Sequence, residues 1–207
     1  MQTSATPVNA TPLSQGVPSS YKIEVLGHAP FMTVDKYLPG ILSSVLPKFV
    51  KSCVVHTDHG DYQGVGLFRN LYTTHEAEFY APGMAHPVTV GAPKLTVLRH
   101  QSRERSRHCS VFFDFVDYLA FKSHFSDSRF AFHQADDAIL ISDPANFFAS
   151  LIECDLYDDI YCFFPHTLAG KTAWATYHDR FDRVVHDCSV MYDKFSSLYD
   201  YVKQLSR

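Results

Sequence analysis

From Ser110 onward, apolar runs of strand length alternate with segments of helix length, and this alternation leaves the chain few folds to adopt. Ser110–Phe115, Ala138–Ser142, Asp159–Phe164 and Arg183–Val185 have the length and apolar character of strands. Val116–Phe125, Pro144–Cys154, Leu168–Phe181 and Ser197–Leu205 have the length of helices. Strand and helix alternating in this way predict an α/β unit built on a parallel sheet. Tyr118, Phe121 and Phe125 share one helical face, as do Trp174, Tyr177 and Phe181, so the sheet is expected to be sandwiched by helices. Ligands of such sheets sit beyond the carboxyl ends of the strands, which singles out Phe113–Asp117, Ser142–Asn146 and Phe164–Gly170.

The first half reads differently. Between Cys53 and Arg69 two β-favouring runs flank a polar turn containing Gly60, the pattern of a hairpin. Further extended runs at Glu76–Tyr80 and Lys94–Leu98 lie among Pro82, Gly83, Pro87, Gly91 and Pro93, completing a small antiparallel unit. Tyr21–Ser52 is expected to form short helices broken at Pro39 and Pro47, with Ser43 as an N-cap ahead of Val45, Phe49 and Val50. Met1–Ser20 is rich in Ser, Thr and Pro, lacks both periodicities, and is expected to be disordered. The 207 residues thus divide into a disordered segment (1–20), a small α+β subdomain (21–108) and an α/β domain (109–207).

With 46% hydrophobic and 19% charged residues the chain is globular, and its net charge of -4 disfavours duplex binding by the surface as a whole. Any nucleic-acid contact must be local. One segment offers it: Lys94, Arg99, Arg103, Arg105 and Arg107 face only Glu104, and His100 and His108 add charge at lower pH. These side chains suit the phosphates of DNA or RNA, although a solvated loop between subdomains explains them too.

Cys53, Cys109, Cys154, Cys162 and Cys188 form no Cys-x-x-Cys pair and several lie in apolar runs, as expected of a reduced, cytoplasmic protein. No apolar run approaches the roughly 20 residues that span a bilayer, so no membrane association is expected. Gly170-Lys171-Thr172 lacks the preceding glycine of a phosphate loop. His56-Thr-Asp-His59-Gly-Asp61 brings imidazoles and carboxylates together as a zinc site would, and equally as a polar turn would.

Two stretches of the second half carry a resemblance. Val111-Phe-Phe-Asp114-Phe-Val-Asp117-Tyr-Leu119 matches the turn after the first strand, and Cys162-Phe-Phe-Pro165-His-Thr167-Leu-Ala-Gly170-Lys171 matches a later strand-to-helix turn, of the Toprim domain. That domain is the Mg²⁺-binding α/β module of bacterial primases, topoisomerases and some nucleases. The upstream Gly64-Val-Gly-Leu-Phe-Arg-Asn70 and Glu76-Ala-Glu-Phe-Tyr80 are similar to the preface of the primase-like Toprim proteins of Bacteroidetes mobile elements. The resemblance covers roughly Tyr21 to Leu205 and implies a Toprim-like parallel sheet.

The departures fall on the chemistry. In the family the first turn carries a general acid/base glutamate and the later one an Asp-x-Asp pair that holds metal. Phe113, Pro165 and Thr167 stand at those positions. Mg²⁺ needs hard oxygen ligands, carboxylates above all, which a proline ring and one hydroxyl do not replace. The resemblance therefore implies a catalytically degenerate domain that needs no cofactor and acts as a nucleic-acid or protein interaction module. Phe113, Phe164, Pro165 and Leu168 would then turn an acidic pocket into an apolar contact patch. The alternative is a Mg²⁺-dependent primase or nuclease with a site rebuilt from Asp114, Asp117 and Asp143, assisted by His166. Asp114 and Asp117 are explained as well by the first turn of a helix.

Overall fold

The structure, a computed structural model, describes residues 21–28, 36–68, 76–99, 106–125 and 136–206. Met1–Ser20 lies outside them, as do Arg69, Asn70, His100, Arg103, Glu104 and Arg105. Five strands, β1 (Tyr21–His28), β2 (Val50–Thr57), β3 (Gly60–Phe68), β4 (Ala77–Tyr80) and β5 (Val88–Val90), form an antiparallel meander in chain order. A second sheet has the order β10-β9-β7-β8-β6, from β6 (Thr96–Leu98), β7 (His108–Phe112), β8 (Asp137–Leu140), β9 (Asp159–Phe163) and β10 (Val185–Asp187). All its neighbours are parallel except β6, which runs antiparallel to β8 at the edge.

Among the described residues four helices flank this second sheet: α1 (Phe115–His124), α2 (Phe147–Cys154), α3 (Leu168–Phe181) and α4 (Leu198–Leu205). The two-residue period of a strand decides which helices meet which face. Phe112, Ala138, Leu140 and Phe163 pack with Leu119, Phe121, Leu198 and Val202 of α1 and α4. Their neighbours Cys109, Val111, Ile139 and Cys162 pack on the opposite face with Leu151, Cys154, Ala173 and Tyr177 of α2 and α3. The fold is mixed α/β, a mainly parallel sheet sandwiched by helices behind an antiparallel unit, as the alternating pattern predicts.

The first sheet shares the α1–α4 core, since Val50, Val65, Leu67 and Tyr80 join it with Tyr37, Leu38 and Ile41. Its other face buries Ile23, Cys53, Val55, Phe68 and Phe79.

Three local expectations are corrected. Tyr21–His28 is a strand rather than a helix: its alternation buries Ile23 and leaves Lys22 and Glu24 outward while it pairs with β2. Ser43 caps nothing, because Ser43–Val45 is a single 3-10 turn that begins after Leu42, and Val50 opens β2. Thr96–Leu98 belongs to the second sheet, where Thr96, Val97 and Leu98 pair with Leu140, Ile139 and Ala138. The expected hairpin forms, with Thr57 opposite Gly60 at its turn. Among the described residues no helix is long and apolar enough to cross a membrane.

Candidate functional site

The three loops singled out by the strand pattern meet at the carboxyl ends of β7, β8 and β9. Ile141 N–H donates to the Phe112 carbonyl (3.0 Å) and Ser142 N–H to the Phe113 carbonyl (2.7 Å), stitching the first two loops together. Ser142 does this with a φ of 60°, a left-handed conformation that a side chain adopts at a cost.

Each candidate carboxylate is engaged by backbone amides. Asp114 is the N-cap of α1 and accepts from Val116 N–H (3.0 Å) and Asp117 N–H (2.9 Å). Asp143 accepts from Ala145 N–H (2.9 Å) at the short 3-10 turn Pro144–Asn146. Asp117 is buried, 1% exposed, and accepts from Tyr199 N–H (2.8 Å), so a carboxylate of α1 caps the start of α4. Burial pushes Asp117 well above the usual carboxylate range and the neighbouring Asp114 adds to this, while the hydrogen bonds from Tyr199 and Ser197 oppose it. Asp114 is also raised, chiefly by burial. Among the described residues no group of three or more His, Cys, Asp or Glu side chains is arranged to hold a metal ion.

Phe113, Pro165 and Thr167 are taken up by packing and capping. Phe113 meets Phe164 edge-on (5.2 Å between centroids), and Phe164 meets Tyr177 of α3 (5.1 Å). Thr167 is the N-cap of α3, its Oγ1 accepting from Gly170 N–H (3.2 Å). Gly170 is required by close approach, because a Cβ there would lie 1.9 Å from the Pro165 carbonyl oxygen. His166 is half-buried beside Tyr192, its main-chain N–H donating to Ser196 O (2.8 Å) and its Nε2 lying 3.1 Å from Ser189 O. Of the four residues expected to form an apolar patch, Phe164 and Pro165 are buried and Phe113 half-buried; Leu168 is 84% exposed.

Sequence reasoning missed the residue at the centre of this cluster. Glu78 of β4, 0% exposed, accepts from Phe115 N–H (3.2 Å) through Oε1 and from Ser142 Oγ (2.7 Å) through Oε2. Thr89, its register partner on β5, donates through Oγ1 to the Ser142 carbonyl (3.2 Å). The antiparallel sheet thereby supplies a carboxylate to the start of α1. The only signal is a single acidic residue between apolar ones in Ala77-Glu-Phe-Tyr80, which alternation alone assigns to a solvated face.

Of the described residues of the basic segment, Arg99 and Arg107 lie at the amino ends of β8 and β7 while Lys94 precedes β6 near the carboxyl end of β8, and each is paired. Lys94 contacts Glu76 (2.8 Å) and Arg107 contacts Asp158. Arg99 reaches Glu153 (2.7 Å), Asp137 (3.3 Å) and the Tyr157 hydroxyl (3.2 Å). His56 in the hairpin contacts Asp61 (2.8 Å) and Glu24 (3.3 Å), and these hydrogen bonds, that to Asp61 foremost, raise its pKa. All five cysteines are buried and none is in a disulfide.

No protein-family model matches the chain. No curated protein matches it. Among solved structures it is similar to the primase fragment of the bacteriophage T7 primase-helicase protein, at 13% identity and a TM-score of 0.46, with 75% of this chain covered. The match spans 64% of that fragment, less than two thirds of its length.

Proposed function

We propose that this chain is a Toprim-like domain of primase type, related to the mobile-element proteins its sequence resembles, that acts as an interaction module without phosphoryl-transfer chemistry. The observation that carries the reading is the state of Asp114, Asp117 and Asp143. All three spend carboxylate oxygens on helix-start amides, while Phe113, Pro165 and Thr167 fill the ligand positions with packing and capping groups. Each carboxylate is oriented by an amide held through Oδ1, and turning it toward a shared Mg²⁺ would strain that bond, at greatest cost at the buried pair Asp117–Tyr199 N–H; this opposes metal binding.

The partner we assign is single-stranded DNA or RNA, gripped by Lys94, Arg99, Arg103, Arg105 and Arg107. Arg103 and Arg105 lie outside the described residues. The pairs made by Lys94 and Arg107 are exposed, and exposed pairs contribute so little that phosphates can replace the carboxylates. The five buried thiols support a reduced, cytoplasmic setting.

A salt titration of oligonucleotide binding tests this. Lys94→Ala and Arg107→Ala each free one phosphate from the protein, and each should reduce the log–log salt slope by about 0.7. Absence of binding at low salt would refute the nucleic-acid assignment. It would favour a second reading as a protein-binding module, which Phe148 and Ile152 support by lying one turn apart on α2 at 74% and 67% exposure.

A further inference from the structure

On the face of the parallel sheet that carries α1, at the end opposite the three loops, lies a cavity of about 370 Å³. The half-buried rings of Phe49 and Tyr118 line it above the buried Phe112 and Phe121, and Ser110 of β7 contributes to its wall. Ser110 is 2% exposed and its Oγ is buried without a hydrogen-bond partner. A buried hydroxyl in that state costs free energy that a bound polar group would recover. Two cations, Arg99 of the basic segment and Lys122 of α1, share the lining with Asp136. Lys122 is half-buried, and burial lowers its pKa while Asp136 supports its charge. The volume lies within the range of small-molecule sites, about 300–1,000 Å³, and aromatic walls with one polar group inside and cations beside it suit a planar ring attached to an anion.

We propose that this cavity receives one unstacked base of a single-stranded nucleic acid, with Ser110 Oγ hydrogen-bonded to the base edge and the adjoining phosphates on Arg99 and Lys122. The inference rests on the nucleic-acid reading of the basic segment and extends it, because Arg99 belongs both to that segment and to the cavity lining. Single-strand recognition combines a basic track with rings that accept a base, and here the two adjoin.

The experiment compares an oligothymidylate of about twelve nucleotides with an abasic deoxyribose-phosphate chain of the same length, by fluorescence anisotropy on the full chain. A stacked base should make the oligothymidylate bind at least about fivefold more tightly. Ser110→Ala removes only the unpartnered hydroxyl and should leave the fold intact while reducing that preference by roughly twofold. Phe49→Ala should reduce it further, and Lys122→Ala should lower the salt slope by about 0.7 for both chains. Equal binding of the two chains would overturn the base pocket and leave the basic-segment reading standing. Binding of neither would overturn both. A preference for bases untouched by Ser110→Ala and Phe49→Ala would also overturn it, because the base would then sit elsewhere.

Discussion

Glu78 and Ser142, 64 residues apart in sequence, meet through a 2.7 Å hydrogen bond that ties the antiparallel sheet to the carboxyl end of the parallel one. The same carboxylate satisfies the first amide of α1, so one buried side chain holds the register between the two sheets and the strand-end loops. Replacing it with Ala would orphan both Phe115 N–H and Ser142 Oγ. Glu78→Ala should therefore cost roughly 2–4 kcal/mol in urea unfolding. Glu78→Gln, which keeps an acceptor, should cost markedly less, and equal destabilisation of the two variants would show that the bonds to Phe115 and Ser142 are not what matters.

Gly170 sets how closely α3 follows the Pro165 turn. Gly170→Ala places a methyl 1.9 Å from a backbone carbonyl, where no flexible side chain can yield, and the helix start must move. A destabilisation of about 1–3 kcal/mol is expected, the ordinary cost of overpacking. A thermal midpoint equal to the parent's would contradict so close an approach of helix and turn.

Asp117 gives the stability a pH dependence of unusual sign. Its folded pKa is raised, mainly by burial, so between the unfolded value of about 3.9 and the folded one the native state binds more protons than the unfolded chain. The contribution of this group is most favourable at acidic pH and becomes a penalty as pH rises through the folded pKa. Asp117→Asn retains an acceptor for Tyr199 N–H and removes the charge. Urea midpoints of this variant should fall less steeply between the acid range and neutrality than those of the parent. Parallel profiles would show that Asp117 does not titrate in this way.

The second half is legible in the sequence because its signal is local. Three of the four helix starts described carry a capping side chain, Asp114, Thr167 or Ser197, and the strands carry apolar runs, so the order of elements follows from the sequence. What stays hidden depends on distant partners. Thr96–Leu98 is only three residues long and nothing in it specifies an edge position beside β8 rather than a place in the first sheet. Tyr21–His28 carries its alternation openly, yet Pro39 and Pro47 downstream draw the whole segment towards broken helices. At the strand ends the sequence reading marks Phe113, Pro165 and Thr167 as departures from the resembled pattern and places Asp114 in the first turn of a helix, where the structure makes it the N-cap. It does not reveal Glu78, whose burial is created by a sheet packed across it from a different part of the chain.

The central claim is that the strand-end carboxylates hold helices and not metal. Calorimetric titration of the full chain with Mg²⁺ and with Mn²⁺, alongside Asp117→Asn, tests it most directly. The account predicts no saturable heat up to millimolar metal for either protein. Stoichiometric binding by the parent chain that is abolished in a folded Asp117→Asn variant would contradict it, and would favour the alternative of a metal-dependent phosphodiester enzyme.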